Sequence, residues 1–357
     1  MIYNNFKVKY SLILSFTHSI IELQNMKNFT KLSLLALLTF TTFFANAQMM
    51  NDGIFMAKGN LCGGITYMND SWSKYWEGSL YRENKNIGTL TTQSVVLMGN
   101  YGISDRFNVM FSLPYITTKA SAGTSQGMSG IQDLTMSVKY RLIQAHNLSV
   151  IGSVGGSIPT NNYVADYLPF AIGTQSKTGF ARGILYYTLP ANLALTLHGT
   201  YTARSNIRAD REMYYAGKGY FTNEMTMPDI VNFGGKFGHY SYRWQLEATY
   251  DQQVTQGVLD IRRNDMPGLC DKFDYNRVGF IAAYRVPVLK DLQIMVTGGK
   301  ILSGRNVGES MTYSVGISKY IDFRKNKGAG IPSGPICRPG DVNHNAGGMD
   351  MKKDEHK

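Results

Sequence analysis

The stretch Arg106-Phe107-Asn108-Val109-Met110-Phe111-Ser112-Leu113-Pro114-Tyr115 decides the fold. Phe107, Val109, Phe111, Leu113 and Tyr115 share one parity, while Arg106, Asn108 and Ser112 share the other. A period of two is the mark of an extended strand whose two faces meet different surroundings. The same reading holds for Leu134, Met136, Val138, Tyr140 and Leu142 set against Asp133, Thr135, Ser137, Lys139 and Arg141. It holds again for Tyr242, Trp244, Leu246, Ala248 and Tyr250 opposite Arg243, Gln245, Glu247 and Asp251.

Extended along the chain, the alternation predicts twelve strands, at 58–67, 91–101, 106–116, 131–142, 147–158, 178–189, 192–204, 230–238, 242–253, 276–286, 291–301 and 309–323. Links after the even-numbered strands are two to four residues long, such as Gly102–Asp105 and Pro190–Ala191. Links after the first five odd-numbered strands run from 14 to 25 residues, and the last, 302–308, is shorter. An even number of strands with alternating short and long links predicts an all-β fold, a transmembrane up-and-down antiparallel barrel with periplasmic termini. Gly102 is expected to supply left-handed geometry to a tight turn that Asp105 caps through its own backbone.

Charge placement separates this from a soluble sandwich. The apolar parity of the twelve windows carries three charged residues, Lys300, Glu309 and Lys319. The other parity carries fifteen: Lys58, Arg106, Asp133, Lys139, Arg141, Arg182, Arg204, Lys236, Arg243, Glu247, Asp251, Arg277, Arg285, Asp291 and Asp322. A charge at the bilayer midplane costs about 2–4 kcal/mol, falling towards zero at the interface, so the charged face is expected to line a lumen. Tyr101, Phe107, Tyr140, Tyr187, Phe237, Tyr242, Trp244 and Tyr284 sit on the apolar parity beside the short links, as an interfacial girdle requires. Inward apolar residues, among them Val96, Met98, Met110, Ile151, Ile184, Ile281 and Met295, suit either an apolar solute path or simple packing.

Composition agrees. Of 357 residues only 17% are charged, 37 are Gly, and mean hydropathy is −0.19, which excludes a polytopic helical membrane protein. Met26-Lys27-Asn28-Phe29-Thr30-Lys31, the apolar run Leu32–Phe44 and Ala45-Asn46-Ala47 read as a signal peptide over 26–47 preceded by an upstream extension, 1–25. Removing residues 1–47 takes four lysines and one glutamate from a net charge of +11 and leaves +8. An exported basic chain is a poor candidate for nucleic-acid work. The mature chain then divides into a periplasmic N-terminal segment, 48–57, which is also able to sit inside as a plug, the barrel at 58–323 and a flexible periplasmic tail at 324–357.

Two segments resemble a known family. Gly99 to Phe107, continuing to Ser112-Leu113-Pro114-Tyr115, looks like the "YG-x-[ST]-D-[RN]-[LF]…SLPY" hairpin of the transporters associated with meta-pathway phenol degradation. Gly130-Ile131-Gln132-Asp133-Leu134 with Lys139-Tyr140-Arg141-Leu142 is similar to their "G-x-x-D-[LV]…KYRL" strand, and Ile158-Pro159-Thr160 fits their "LPT" strand end. The likeness covers about 60 residues. It implies a bacterial outer-membrane barrel that admits small, often hydrophobic compounds, and it carries over no catalytic residue.

Three chemistries compete. The lumen set is ten basic to five acidic, so an open pore is expected to pass small anionic or neutral, hydrophobic solutes passively; inward charges that merely pair to fill the barrel are the plainer reading. A non-conducting structural or surface-binding barrel acting through long outer loops is the alternative. A lipid hydrolase is the remote one: His239-Tyr240-Ser241 has the His-x-Ser spacing of outer-membrane phospholipases, but Gln253 stands where an Asn is needed. In the tail, Cys337, His344, Met349, Met351 and His356 have the softness for copper(I) or zinc without regular spacing, so no metal and no cofactor is expected. Cys62 and Cys337 share the periplasmic side, where oxidation is able to join them, while Cys270 falls in an outer loop; loose thiols are the plainer reading. The partners are outer-membrane lipid, a small-molecule solute and, during biogenesis, the outer-membrane assembly machinery, which the closing strand Met311–Phe323 resembles a signal for.

Overall fold

The computed structural model describes residues 50–257, 259–261, 267–289 and 292–324. Twelve long strands appear: β1 Asn60–Trp72, β2 Leu90–Ser104, β3 Phe107–Ala120, β4 Asp133–Ala145, β5 Leu148–Pro159, β6 Thr178–Leu189, β7 Leu193–Arg204, β8 Ile230–Tyr240, β9 Trp244–Thr255, β10 Asp274–Arg285, β11 Leu292–Arg305 and β12 Met311–Asp322. Each pairs antiparallel with its sequence neighbour, and β1 pairs with both β2 and β12, so the sheet closes on itself. Closure leaves the sheet without an edge of unpaired N–H and C=O groups, the condition for strands within hydrocarbon. The twelve predicted windows coincide with these strands, and most strands extend a few residues beyond them.

Sidedness follows the predicted parity. Val95, Leu97, Leu113, Val154, Leu246, Val315 and Ile317 all project outward, and apart from the half-exposed Leu113 they are exposed although apolar. Ser94, Asn100, Ser137, Ser153, Thr196, Ser314 and Ser318, on the opposite parity, are buried although polar. A soluble protein shows the reverse, whereas an apolar exterior around a polar interior is the arrangement of a transmembrane barrel. Lys300 and Glu309, two exceptions on the apolar parity, lie at the long-link end and pair with each other at 2.9 Å. Beside the short links Tyr101, Tyr140, Tyr187, Phe237, Tyr242 and Trp244 are exposed, and Trp244 packs at a tilt against Tyr284 with ring centroids 4.4 Å apart. At the other end Tyr67, Tyr201 and Tyr250 form a second set, their hydroxyls bonded to Gln93, Asp229 and Asn276.

Short links close tightly: Ala191 and Asn192 both take left-handed φ, 59° and 58°, the pair of positive values that matches the twist of the flanking strands. The long links carry small ribbons of their own, at 74–77 with 80–83, 207–208 with 224–225, and 214–215 with 219–220. Links 160–177, 205–229 and 256–273 share one apolar cluster that includes Ala165, Ile207, Tyr214, Met227, Leu269 and Cys270. The Arg211–Asp166 ion pair at 2.7 Å joins two of them. Bidentate contact with Arg305 ties Asp260, in the third, to the end of β11 and holds its carboxyl down at about 2. Burial pushes the Cys270 thiol up, and its Sγ donates to the Thr226 carbonyl at 3.2 Å.

Candidate functional site in the barrel interior

Residues 50–57 run inside the barrel at the short-link end. Their entry is set by Gly59 N–H donating to the Gly102 carbonyl (2.8 Å) and Lys58 N–H to Asp105 Oδ1 (3.0 Å). The expected role of Gly102 is therefore corrected. It lies in β2 without left-handed φ, and a Cβ there would meet the Ala57 carbonyl oxygen at 2.3 Å. Glycine is required because another backbone crosses it. Asp105 likewise caps the entering segment rather than its own turn.

Further in, the Asn108 carboxamide, oriented to satisfy both its ends, accepts from Met56 N–H at 2.6 Å and donates to Met56 O at 3.2 Å. Met56 packs on Cys62 and Tyr320, and Ile54 and Phe55 pack on Ile151, Ile184, Tyr186, Ala194 and Tyr240. The segment thus touches β1, β3, β5, β6, β7, β8 and β12 at once, which is possible only from within. Of the two placements open to it, outside or inside, the described part takes the second.

Charged side chains fix the segment. Lys139 is 0% exposed, and its Nζ donates to Asp52 Oδ1 (3.0 Å), Asp52 O (3.3 Å) and Ile54 O (2.7 Å). Lys236 donates to Asn51 Oδ1 at 2.8 Å, and Asn51 Nδ2 lies 3.2 Å from His198 Nε2. The Arg141 guanidinium lies 4.4 Å from the Phe55 ring centroid and Lys139 Nζ 4.9 Å from it, a cation over an aromatic face. Glu247 is buried, accepting from Tyr240 (2.7 Å) and Gln245 (2.6 Å).

The other charged candidates separate by height. Arg182, Asp251 and Arg277 belong to the middle of the barrel. Arg182 Nε donates to Thr200 at 2.7 Å and its guanidinium lies over Phe180. Asp251 leans across Gly234 towards His198 Nε2 at 3.4 Å rather than towards Arg277, its ladder partner, which lies over Gly299. Arg106, Arg243 and Arg285 sit at the short links, the first two exposed, and Arg285 approaches the Tyr242 ring at 5.6 Å. Asp133 and Arg204 lie at the long-link end. Asp133 accepts from Tyr163 at 2.5 Å, and Arg204 donates to the Pro228 carbonyl. Loop 160–177 also reaches into the mouth, where the Phe170 carbonyl accepts from the inward Thr118 at 2.7 Å.

Sequence reasoning allowed segment 48–57 an interior place but singled out none of Asn51, Asp52, Phe55 or His198 as a contact group. The His239-Tyr240-Ser241 constellation does not assemble: Tyr240 pairs with Gln245 and Asn232 with Gln253, so Gln253 lies at the far end of β9 from Ser241. Ser241 Oγ accepts the Trp244 N–H within its own turn. Among the described residues no group of three or more His, Cys, Asp or Glu side chains is placed to hold a metal. Cys62 and Cys270 are not joined to each other. The signal-peptide residues, Cys337 and the metal-suited tail residues lie outside the described residues.

No protein-family model and no curated sequence matches the chain. Among solved structures, an outer membrane channel from Pseudomonas putida F1 is similar, with a TM-score of 0.59 and 16% identity over 77% of this chain and 100% of that one. The NanC porin (TM-score 0.43, 9% identity, 71% of this chain and 98% of that one) and the TodX monoaromatic hydrocarbon channel, as a ΔS2S3 mutant (0.41, 9%, 73% and 90%), match more weakly. With its apolar exterior, polar interior and twelve-strand closure, the fold is that of a bacterial outer-membrane β-barrel.

Proposed function

We propose that the chain is a passive outer-membrane channel for small solutes, hydrophobic or anionic, whose lumen is closed at the short-link end by residues 51–57. The observation that carries this reading is a polar, cation-rich interior wall whose side chains hold an N-terminal segment that forms no strand of the sheet. A wall built only to fill the barrel would pair its cations with acids on neighbouring strands, whereas Lys139 takes its partner from the segment. The twelve candidates, Arg106, Asp133, Lys139, Arg141, Arg182, Arg204, Lys236, Arg243, Glu247, Asp251, Arg277 and Arg285, then line the path or its two rims. Short links and both termini face the periplasm, and the long links face outward. The hairpin resembling the meta-pathway transporters supports solutes with an apolar body. The shared loop core, with Phe221 exposed beside it, favours the second reading, a surface-binding barrel.

Planar-bilayer recording separates the two. Discrete conductance steps are expected, and Arg182→Glu is expected to lower the anion-to-cation permeability ratio several-fold, because a charge in a narrow pore acts at close range. A barrel that stays silent, with its N-terminal segment released as well as in place, contradicts the channel and leaves the loops as the working surface.

A further inference from the structure

We propose that the place held by Asp52 and Phe55 is a binding site for a small aromatic carboxylate, which the N-terminal segment occupies by imitation. The inference rests on reading the barrel as a channel and names the solute class that its closed end receives.

All three hydrogen bonds of the Lys139 ammonium go to the segment and none to the wall. The neighbouring buried cations, Arg141 and Lys236, belong to the wall, and so does one buried acid, Glu247, which Tyr240 and Gln245 already hold. A buried ammonium without a counter-ion is strongly unfavourable, so the wall at this level is built to receive an anion. What it receives has a definite outline. The Asp52 carboxylate meets Lys139 at 3.0 Å, and three residues on, the Phe55 ring lies within 5 Å of both Lys139 Nζ and the Arg141 guanidinium, with Ile151 and Ile184 packed against the same cluster. A carboxylate and an aromatic ring bound side by side describe an aromatic acid. Lys139 and Arg141 both stand on β4, held by the barrel ladders, so the site persists when the segment withdraws. The acid then enters by competition: its carboxylate replaces that of Asp52 on Lys139, and its ring replaces Phe55 beneath Arg141.

Calorimetric titration of the full chain, folded in detergent, with benzoate, benzamide and acetate tests this. Asp52→Asn removes the internal competitor and is expected to bind benzoate at least tenfold more tightly than the unaltered chain. Benzamide and acetate are expected to bind that variant at least tenfold more weakly than benzoate does. Adding Lys139→Met is expected to abolish benzoate binding; should that variant fail to fold, Arg141→Gln in the Asp52→Asn chain is expected to weaken it several-fold. Equal binding of benzoate and benzamide, or no gain in Asp52→Asn, overturns the proposal. Benzoate binding by a barrel silent in bilayers would sink the channel and leave the site standing; conduction without benzoate binding would do the opposite.

Discussion

Leu97→Arg is expected to destabilise the folded barrel by about 2–4 kcal/mol in a bilayer, a loss of roughly thirty- to a thousandfold in the folded-to-unfolded ratio. Leu97 is 46% exposed and sits between Ile65 of β1 and Leu113 of β3, in the middle of the outward band. A guanidinium there has hydrocarbon on every side and is too far from either interface to reach water along its own stem. Met98, one residue on, faces inward, and Met98→Arg is expected to cost far less. Denaturant titration in lipid vesicles measures both, and equal costs at 97 and 98 would contradict the assigned sides.

Lys139→Met is expected to release the N-terminal segment. Removing one partner of a buried ion pair costs about 3–5 kcal/mol because the other charge is left without compensation. Asp52 avoids that cost only by returning to water, and it carries Ile54 and Phe55 away from their packing on Ile151 and Ile184. The seated state should therefore lose more than a hundredfold in population. Rapid protease cleavage between residues 50 and 57 in the variant, and slow cleavage in the unaltered chain, is the expected result. Equal rates would show that the segment is held by something other than Lys139. In bilayers the variant should also open more often, since the short-link end is no longer filled.

The strands could be read from the sequence because the barrel wall is one layer thick. Each residue meets either hydrocarbon or the interior, so side alone sets residue type, and the alternation at Phe107–Tyr115 survives in every strand. Boundaries erred short because the ladders run on past the apolar band: β2 begins at Leu90 and ends at Ser104, where 91–101 was expected. The interior segment left no periodic trace. Asn51-Asp52-Gly53-Ile54-Phe55-Met56 has no regular partner, and its position comes from contacts with residues far along the chain, as between Asn51 and Lys236, 185 positions apart. One trace did exist in Gly102, whose glycine serves a close backbone approach rather than a turn. The loop core was hidden for a related reason: Ala165, Ile207 and Leu269 bury one another across three links with no period to announce it.

The most direct test of the account is a nitroxide scan of consecutive positions 94 to 98 on β2, in a cysteine-free chain reconstituted in lipid. The assigned sides predict that dissolved oxygen, concentrated in hydrocarbon, collides most with labels at 95 and 97, while a water-soluble nickel chelate does not prefer those two positions. Oxygen collision that is uniform along the five positions, or greatest at 94, 96 and 98, would contradict it.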